Sequence, residues 1–285
     1  MKTPLARYGI GSLLLLVLGG VFVLDREQAL ITPLLALLLG FGAALEYWKI
    51  VGDGMPQSVR AAGVPLLLLL SGSAAVLACT AQRTQLDLLL ACMLPLALFS
   101  AAALLLGARR TSAVSPQDFA TTLHMPACVA MTVLPAAALA ATAAIPACGT
   151  ALVFTLVLGS KLNDIGGYIG GTLFGRHKLC PGVSPYKTIE GALTGVVLGT
   201  GGTVLLAHLL PELAGPLGGW RAIALGLALA LSTQVGDLFE SAFKRSMKVK
   251  DSAALLPAFG GLLDLLDSFI FAAPLGYTLV RAWTN

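Results

Sequence analysis

Long apolar segments follow one another along almost the whole chain, and they limit the folds that it can adopt. Hydrophobic residues make up 57% of the sequence and charged residues only 11%. Several segments approach the roughly 20 residues that a helix needs to cross a bilayer. A segment in lipid must satisfy its own backbone hydrogen bonds, so these segments are expected to be helices. The sequence therefore predicts an all-α integral membrane protein without a separate soluble domain.

About nine segments have the length and composition of a transmembrane helix. They cover residues 8–24, 30–48, 61–80, 88–107, 125–144, 148–173, 189–210, 220–243 and 259–280. The first segment follows Lys2 and Arg7, as the apolar part of a secretory signal would. It ends in Leu24-Asp25-Arg26 with no small-residue cleavage site, and we therefore interpret it as a span.

Basic residues are distributed unequally between the two sides of the predicted membrane. Thirteen Lys and Arg residues fall on the side of the N-terminus, and four fall on the opposite side. Cytoplasmic connections usually carry the excess of basic residues, so the N-terminus is expected in the cytoplasm. The formal net charge of +4 then reflects topology and anionic lipid headgroups. No aromatic and basic platform for nucleic acid is apparent.

Ionisable residues within the predicted spans are concentrated in the second half of the chain. Residues 1–147 contain few of them, with Glu46 as the main exception, and are expected to form a transmembrane scaffold. Residues 148–285 contain many and are expected to form a catalytic region. A charged residue at the centre of a membrane costs about 2.5–3.5 kcal/mol, so one that occurs there usually has a function.

Three of the predicted helices carry a carboxylate near the same membrane face. In the predicted topology Asp164 and Asp237 lie close to the cytoplasmic ends of two inward-running helices. Asp264 lies a few residues into the outward-running helix that follows. At the usual helical rise these groups reach a similar depth. The sequence therefore predicts one polar cavity at the cytoplasmic side.

Two helix faces combine the groups expected in that cavity. Asp237, Ser241 and Lys244 follow an i, i+4, i+7 pattern, and Asp264 and Asp267 are three residues apart. Carboxylates from two helices suit Mg²⁺, which takes oxygen ligands and completes its shell with water and substrate phosphate. The alternative is structural, because the same acids could form salt bridges with neighbouring lysines and arginines.

The connection after the sixth predicted span is basic and contains several hydroxyl groups. Lys178 and Lys187 could contact nucleotide phosphates, or they could simply anchor the chain at the cytoplasmic face. Ser184 lies between them. Thr188 or a neighbour is expected to cap the next helix, with Glu190 in its first turn.

Glycines have two predicted roles. Gly191, Gly195 and Gly199 recur every four residues, which is typical of tight contact between two membrane helices. Gly260 and Gly261 precede the ninth predicted helix, where the backbone could approach a phosphate closely. A simple turn explains the second pair equally well.

These residues resemble the signature of the phosphatidate cytidylyltransferases, also called CDP-diacylglycerol synthases. The positions that match in register are Ser241, Lys244, Arg245, Lys250, Asp251, Ala253, Leu256, Pro257, Gly260, Gly261, Asp264 and Asp267. Segments 163–168, 174–179 and 184–191 are also similar to the family. Phe259 and Leu265 depart from the signature, which has His and Arg there.

The resemblance implies transfer of a cytidylyl group from CTP to phosphatidic acid, giving CDP-diacylglycerol and pyrophosphate. It implies Mg²⁺ held by Asp237, Asp264 and Asp267, and leaves room for a companion monovalent cation such as K⁺. Lys244 joins these three acids as an expected catalytic residue. The expected substrate-binding residues are Asp164, Lys178, Ser184, Lys187, Thr188, Glu190, Ser241, Arg245, Lys250, Asp251, Gly260 and Gly261.

The resemblance also implies partners and a location. The expected partners are CTP, phosphatidic acid and membrane lipids, without nucleic acid and with a homodimer left open. The active site is expected at the cytoplasmic face of the inner membrane. Three alternatives stay open: a CTP-dependent lipid kinase of the polyprenol type, an inactive relative altered at Phe259 and Leu265, and an ion-coupled transporter that uses the same acids as a relay.

The predicted orientation can be tested with Lys248→Cys in a background that lacks the native cysteines. Because position 248 belongs to a strongly basic connection, an impermeant thiol reagent should label it only from the cytoplasmic side. Labelling from outside would invert the topology and separate the predicted site from cytoplasmic CTP.

Overall fold

The computed structural model describes residues 16–17, 19–25, 30–52, 124, 127–249, 252 and 261–284, and most of them are helical. The helices are α1 (Ile31–Gly52), α2 (Leu134–Ala143), α3 (Gly149–Phe174), α4 (Ile189–Leu209), α5 (Trp220–Ser246), α6 (Leu263–Leu266) and α7 (Ala272–Thr284). A π-helical turn, Val129–Val133, leads into α2. Short 3-10 turns occur at Pro211–Leu213 and Asp267–Phe269. The predicted spans 61–80 and 88–107 lie outside the described residues.

Within the described part, four helical segments are long and apolar enough to cross a membrane. These segments are Ile31–Val51, Ile189–Leu209, Trp220–Ser246 and Leu263–Thr284. Large apolar side chains such as Leu193 and Leu231 are exposed on their outer faces, as contact with lipid requires. This confirms the prediction of a helical membrane protein, while the number of nine spans and the orientation stay predictions.

Two local features differ from the sequence prediction. The connection between α3 and α4 contains an antiparallel hairpin of β1 (Lys178–Cys180) and β2 (Ser184–Thr188), so the described part is not purely helical. The predicted helix 259–280 is also interrupted, because the 3-10 turn Asp267–Phe269 separates α6 from α7. Both irregular segments lie at the cluster of acidic residues described below.

The contact between α3 and α4 is made by glycines, as their four-residue spacing predicted. A Cβ atom on Gly195 would lie 2.8 Å from the carbonyl oxygen of Asn163. A Cβ atom on Gly199 would lie 2.9 Å from the Cβ of the same asparagine. Gln234 of α5 donates one hydrogen bond to Asn163 Oδ1 at 3.0 Å and another to Ala192 O at 2.9 Å. Three helices are thereby fixed around Asn163, next to Asp164.

Helix α1 packs mainly on α2 and reaches the C-terminal part of α5 through an aromatic pair. Its Ala43 and Ala44 are fully buried, and Ala137 and Ala140 of α2 are fully buried as well. Stacked aromatic rings then join α1 to α5: the ring centroids of Tyr47 and Phe243 are 4.6 Å apart, with 8° between the ring planes. This packing brings α1 close to the charged end of α5.

The glycine contact predicts a difference between two matched substitutions in α4. Gly195→Ala should destabilise the protein by about 1–3 kcal/mol, because the new methyl group would press against the α3 backbone. Gly201→Ala is the control, since a Cβ there would meet no heavy atom of the described residues within 4 Å. Thermal unfolding in detergent should give a lower Tm for Gly195→Ala alone. Equal Tm values for both variants would contradict the close contact.

Candidate active site

One cluster of polar groups surrounds the ammonium of Lys161. Lys161 Nζ lies 3.1 Å from Asp164 Oδ2 and 3.3 Å from Ser268 Oγ. It also interacts electrostatically with Asp237 and Asp267. We call these five residues the Lys161 cluster. Carboxylates from α3, from α5 and from the 3-10 turn after α6 therefore lie within electrostatic range of a single ammonium.

Backbone features explain how these carboxylates come together. Gly236 packs directly on the carbonyl oxygen of Asp267, where any side chain on Gly236 would collide with the backbone. Asp267 begins the 3-10 turn, and its Oδ1 accepts hydrogen bonds from the backbone N–H of Ser268 and from Ser268 Oγ. The close approach of α5 and the break after α6 thus bring the backbone of Asp267 against Gly236, the residue before Asp237.

The hairpin adds a second cation to the Lys161 cluster. Lys187 of β2 forms an ion pair with Asp237 Oδ2. The side chains of Lys187 and Asp237 are 28% and 30% exposed, so this pair is accessible from outside the bundle. Ser241, one helical turn further along α5, donates a 3.5 Å hydrogen bond to Asp237 Oδ1. Asp237 and Lys187 therefore form the accessible edge of the cluster.

A second cluster surrounds the ammonium of Lys244. Lys244 Nζ lies 2.6 Å from Glu240 Oε2 and 2.7 Å from Asp264 Oδ1. Asp264 Oδ2 accepts hydrogen bonds from the backbone N–H of Gly261 at 2.6 Å and from Ser252 Oγ at 2.8 Å. We call Glu46, Glu240, Lys244, Ser252 and Asp264 the Lys244 cluster, because Ser252 Oγ also lies 3.1 Å from Glu46 Oε2. Both carboxylate oxygens of Asp264 thus have partners.

The three predicted metal ligands belong to these two different clusters. Asp237 and Asp267 lie in the Lys161 cluster, and Asp264 lies in the Lys244 cluster. Among the described residues, no group of three or more His, Cys, Asp or Glu side chains has the arrangement of a metal site. The oxygen donors of the Lys161 cluster nevertheless fit Mg²⁺, which often takes only one or two protein carboxylates and completes its shell with water and phosphate. The three-ligand assignment stays a prediction.

Two residues predicted near the phosphates have structural partners. Thr188 caps α4, since its Oγ1 accepts a 3.2 Å hydrogen bond from the backbone N–H of Gly191, as predicted. Glu190 accepts a 3.1 Å hydrogen bond from the backbone N–H of Arg176 and contacts His177 Nδ1 at 2.6 Å. Glu190 thereby fastens the start of the hairpin to the first turn of α4.

The remaining predicted substrate-binding residues are distributed around the clusters. Lys178 is exposed on β1, Ser184 is half-buried at the start of β2, and Arg245 is exposed near the end of α5. Three predicted residues lie outside the described residues: Lys250, Asp251 and Gly260. Substrate contacts at all of these positions stay predictions.

Sequence reasoning did not assign site roles to Lys161, Glu46, Ser252 or Ser268. In the sequence Lys161 is one of the neighbouring lysines with which the acids could form a structural salt bridge. Glu46 was visible as the main ionisable residue in the spans of the N-terminal half. Its contact with Ser252 joins positions 206 residues apart, which no local pattern could have indicated.

Comparisons with known proteins agree on one family. Residues 5–283 match the profile described as "Cytidylyltransferase family". A protein of Escherichia coli (strain K12) named "Uncharacterized protein YnbB" is 42% identical over 134 residues, which cover 47% of this chain and 43% of that protein. The phosphatidate cytidylyltransferase of Mycobacterium leprae (strain TN) is 40% identical over 144 residues, which cover 50% of this chain and 45% of that protein. The phosphatidate cytidylyltransferase of Staphylococcus haemolyticus (strain JCSC1435) is 42% identical over 114 residues, covering 40% and 43%. The matched segments thus span less than half the length of each of these curated relatives.

The charge balance of the Lys161 cluster predicts a coupled effect on stability. Lys161→Met should lower the free energy of unfolding by about 1–3 kcal/mol, because the carboxylates would lose their shared ammonium. The loss should be smaller in an Asp267→Asn background, where one of those negative charges is already removed. Thermal unfolding measures both effects, with Lys178→Met on exposed β1 as the control. Equal losses in the two backgrounds would show that Lys161 and Asp267 are not coupled.

Proposed function

This chain belongs to the cytidylyltransferase family, and on that premise we propose that it transfers a cytidylyl group from CTP to phosphatidic acid. The products would be CDP-diacylglycerol and pyrophosphate. The observation that carries the proposal is the meeting of the Lys161 and Lys244 clusters on one helix, α5, inside an apolar bundle. The relatives named phosphatidate cytidylyltransferase support the choice of substrates.

The proposed reaction makes modest chemical demands on the protein. A phosphate oxygen of phosphatidic acid attacks the α-phosphorus of CTP in line and forms a new P–O bond. The bond from the α-phosphorus to the oxygen that bridges to the β-phosphorus breaks, and pyrophosphate leaves with that electron pair. The attacking phosphate monoester is already largely ionised near neutral pH, so no general base is required. Catalysis would then depend mainly on positioning and on neutralising negative charge.

The lysines of the two clusters are suited to neutralise that charge. Lys187 lies at the accessible side of Asp237. A triphosphate could replace the Asp237 carboxylate there as the partner of the Lys187 ammonium. Lys244 is more enclosed, with its side chain 15% exposed, and would hold a phosphate only at the inner end of the site. Both ammonium groups come from ordered elements, β2 and α5. Their positions would align the α-phosphorus with the lipid phosphate.

Mg²⁺, when bound, would neutralise charge on the phosphates of CTP. Asp237 and Asp267 are its proposed ligands, and Asp164, linked to Asp267 through Ser268 Oγ, would orient a water or a cation. Asp264, the third predicted ligand, would have to exchange its hydrogen bonds from Ser252 and Gly261 in order to join them. A companion monovalent cation such as K⁺ is part of the same proposal.

We also propose that the site faces the cytoplasm from the inner membrane. Lys178 and Lys187 of the hairpin, and Lys244, Arg245 and Lys248 at the end of α5, concentrate basic residues at the same end of the bundle. An excess of basic residues favours the cytoplasmic side. CTP would then reach the site without crossing the membrane.

The proposed function predicts the behaviour of three acid-to-amide variants. Purified wild-type protein given CTP, Mg²⁺ and phosphatidic acid should form CDP-diacylglycerol, detected by mass spectrometry. Asp237→Asn and Asp267→Asn should reduce turnover on the order of 100-fold, because each removes a charge that stabilises the bound phosphates and metal. Asp264→Asn should also reduce turnover, since its carboxylate holds Lys244.

Glu212→Gln provides the matched control, because Glu212 follows α4 at the end of the bundle opposite the two clusters. Its turnover should equal that of the wild type. Near-normal turnover of Asp237→Asn and Asp267→Asn at limiting Mg²⁺ would contradict the site assignment. Failure of the wild type to form the liponucleotide would contradict the function itself.

A further inference from the structure

We infer that Glu46 of α1 is a positioning residue, which holds the start of α6 and Ser252 so that Asp264 faces Lys244. The role would extend the site to the N-terminal half of the chain. The effect on turnover rests on the proposed function, whereas the effect on local structure does not.

The contacts of Glu46 converge on one carboxylate oxygen. Glu46 Oε2 accepts a 3.0 Å hydrogen bond from the backbone N–H of Leu263, the first residue of α6. Ser252 Oγ lies 3.1 Å from the same oxygen and 2.8 Å from Asp264 Oδ2. The hydroxyl group therefore lies between two carboxylates. Glu46 thus contacts one residue that begins the helix of Asp264 and one that contacts Asp264 itself.

Close packing leaves little freedom around these contacts. A Cβ atom on Gly261 would collide with Glu46 Oε2 and with Ser252 Oγ, so the backbone can pass between them only at a glycine. Gly261 also donates its N–H to Asp264 Oδ2 at 2.6 Å. The residue after Glu46, Tyr47, stacks on Phe243 of α5, next to Lys244. Both partners of the Lys244–Asp264 ion pair are therefore held against the same turn of α1.

The burial of Glu46 indicates that this arrangement is not incidental. Glu46 is 9% exposed, and its Oε1 is buried without a hydrogen-bond partner among the described residues. A buried carboxylate with one unpartnered oxygen is costly in an apolar helix. The hydrogen bonds that Oε2 accepts from Leu263 and Ser252 offset this cost, and no apolar side chain could accept them.

Two other roles for Glu46 predict different results. A cation ligand or a simple counter-charge requires the negative charge, so conversion of Glu46 to an amide would remove either role. A positioning acceptor requires an oxygen at the right distance but not the charge. Glu46→Gln keeps the length and an acceptor oxygen without the charge, while Glu46→Asp keeps the charge and shortens the side chain by one methylene.

The experiment compares these two variants with Glu46→Ala in hydrogen exchange and in turnover. In Glu46→Ala and Glu46→Asp, amide exchange in residues 261–268 should rise at least about tenfold and kcat should fall by a similar factor, because the bond to Leu263 is lost. In Glu46→Gln both quantities should stay within about threefold of the wild type. The Mg²⁺ concentration for half-maximal turnover should be unchanged in all three variants. Thr132→Ala is the control for general destabilisation, since among the described residues this buried hydroxyl contacts only Cys128, at 2.6 Å from its O and 3.9 Å from its Sγ.

Several results would overturn the inference. One such result is a Glu46→Gln variant whose kcat falls as far as that of Glu46→Asp, or further, and whose Mg²⁺ requirement shifts. That result would indicate a charge or metal role. Another is unchanged exchange of residues 261–268 in Glu46→Asp. Because exchange needs no substrate, it decides the positioning role even if wild-type protein forms no liponucleotide. Failure of the proposed function is thus distinguishable from failure of this inference.

Discussion

Shared ammonium groups inside an apolar helix bundle are the interaction on which the rest of this structure depends. Lys161 forms an ion pair with Asp164 and interacts electrostatically with Asp237 and Asp267, and Lys244 lies between the carboxylates of Glu240 and Asp264. Breaking such a pair leaves an uncompensated charge in a medium that solvates it poorly. Carboxylates outnumber ammonium groups in both clusters, and we propose that this excess of acids accepts a cation. A nucleoside triphosphate bound to Mg²⁺ would bring that cation together with the negative charge of its phosphates.

Close backbone contacts allow these charges to meet. Glycines on α4 let it pack directly on α3 beside Asn163, and Gly236 lets α5 reach the backbone of Asp267. Larger side chains at these contacts would collide with the facing helix or turn and push the charged residues apart. The charge clusters and the small-residue contacts therefore require one another, and together they hold the carboxylates in fixed positions while lipid surrounds the outer faces.

The sequence predicted the helices well where hydrophobic length alone defines them. The span 189–210 corresponds to α4, and the four-residue glycine spacing was confirmed as a helix contact. Depth along each helix predicted one cavity for Asp164, Asp237 and Asp264; the first two interact with Lys161, whereas Asp264 pairs with Lys244. The break at Asp267 and the hairpin from Lys178 to Thr188 were not predicted, because apolar periodicity does not report interruptions or short strands. The partners of Lys161, Lys187 and Glu46 depend on tertiary contacts between distant segments, which one sequence cannot reveal.

The most direct test of the account follows the phosphorus atoms of CTP. Protein in lipid micelles would be incubated with phosphatidic acid, Mg²⁺ and CTP labelled at either the α- or the γ-phosphate. Cytidylyl transfer predicts that the α label enters the lipid and that the γ label leaves as pyrophosphate. Transfer of the γ label to lipid would show kinase chemistry, and retention of both labels in CTP would show that this site does not catalyse nucleotide transfer.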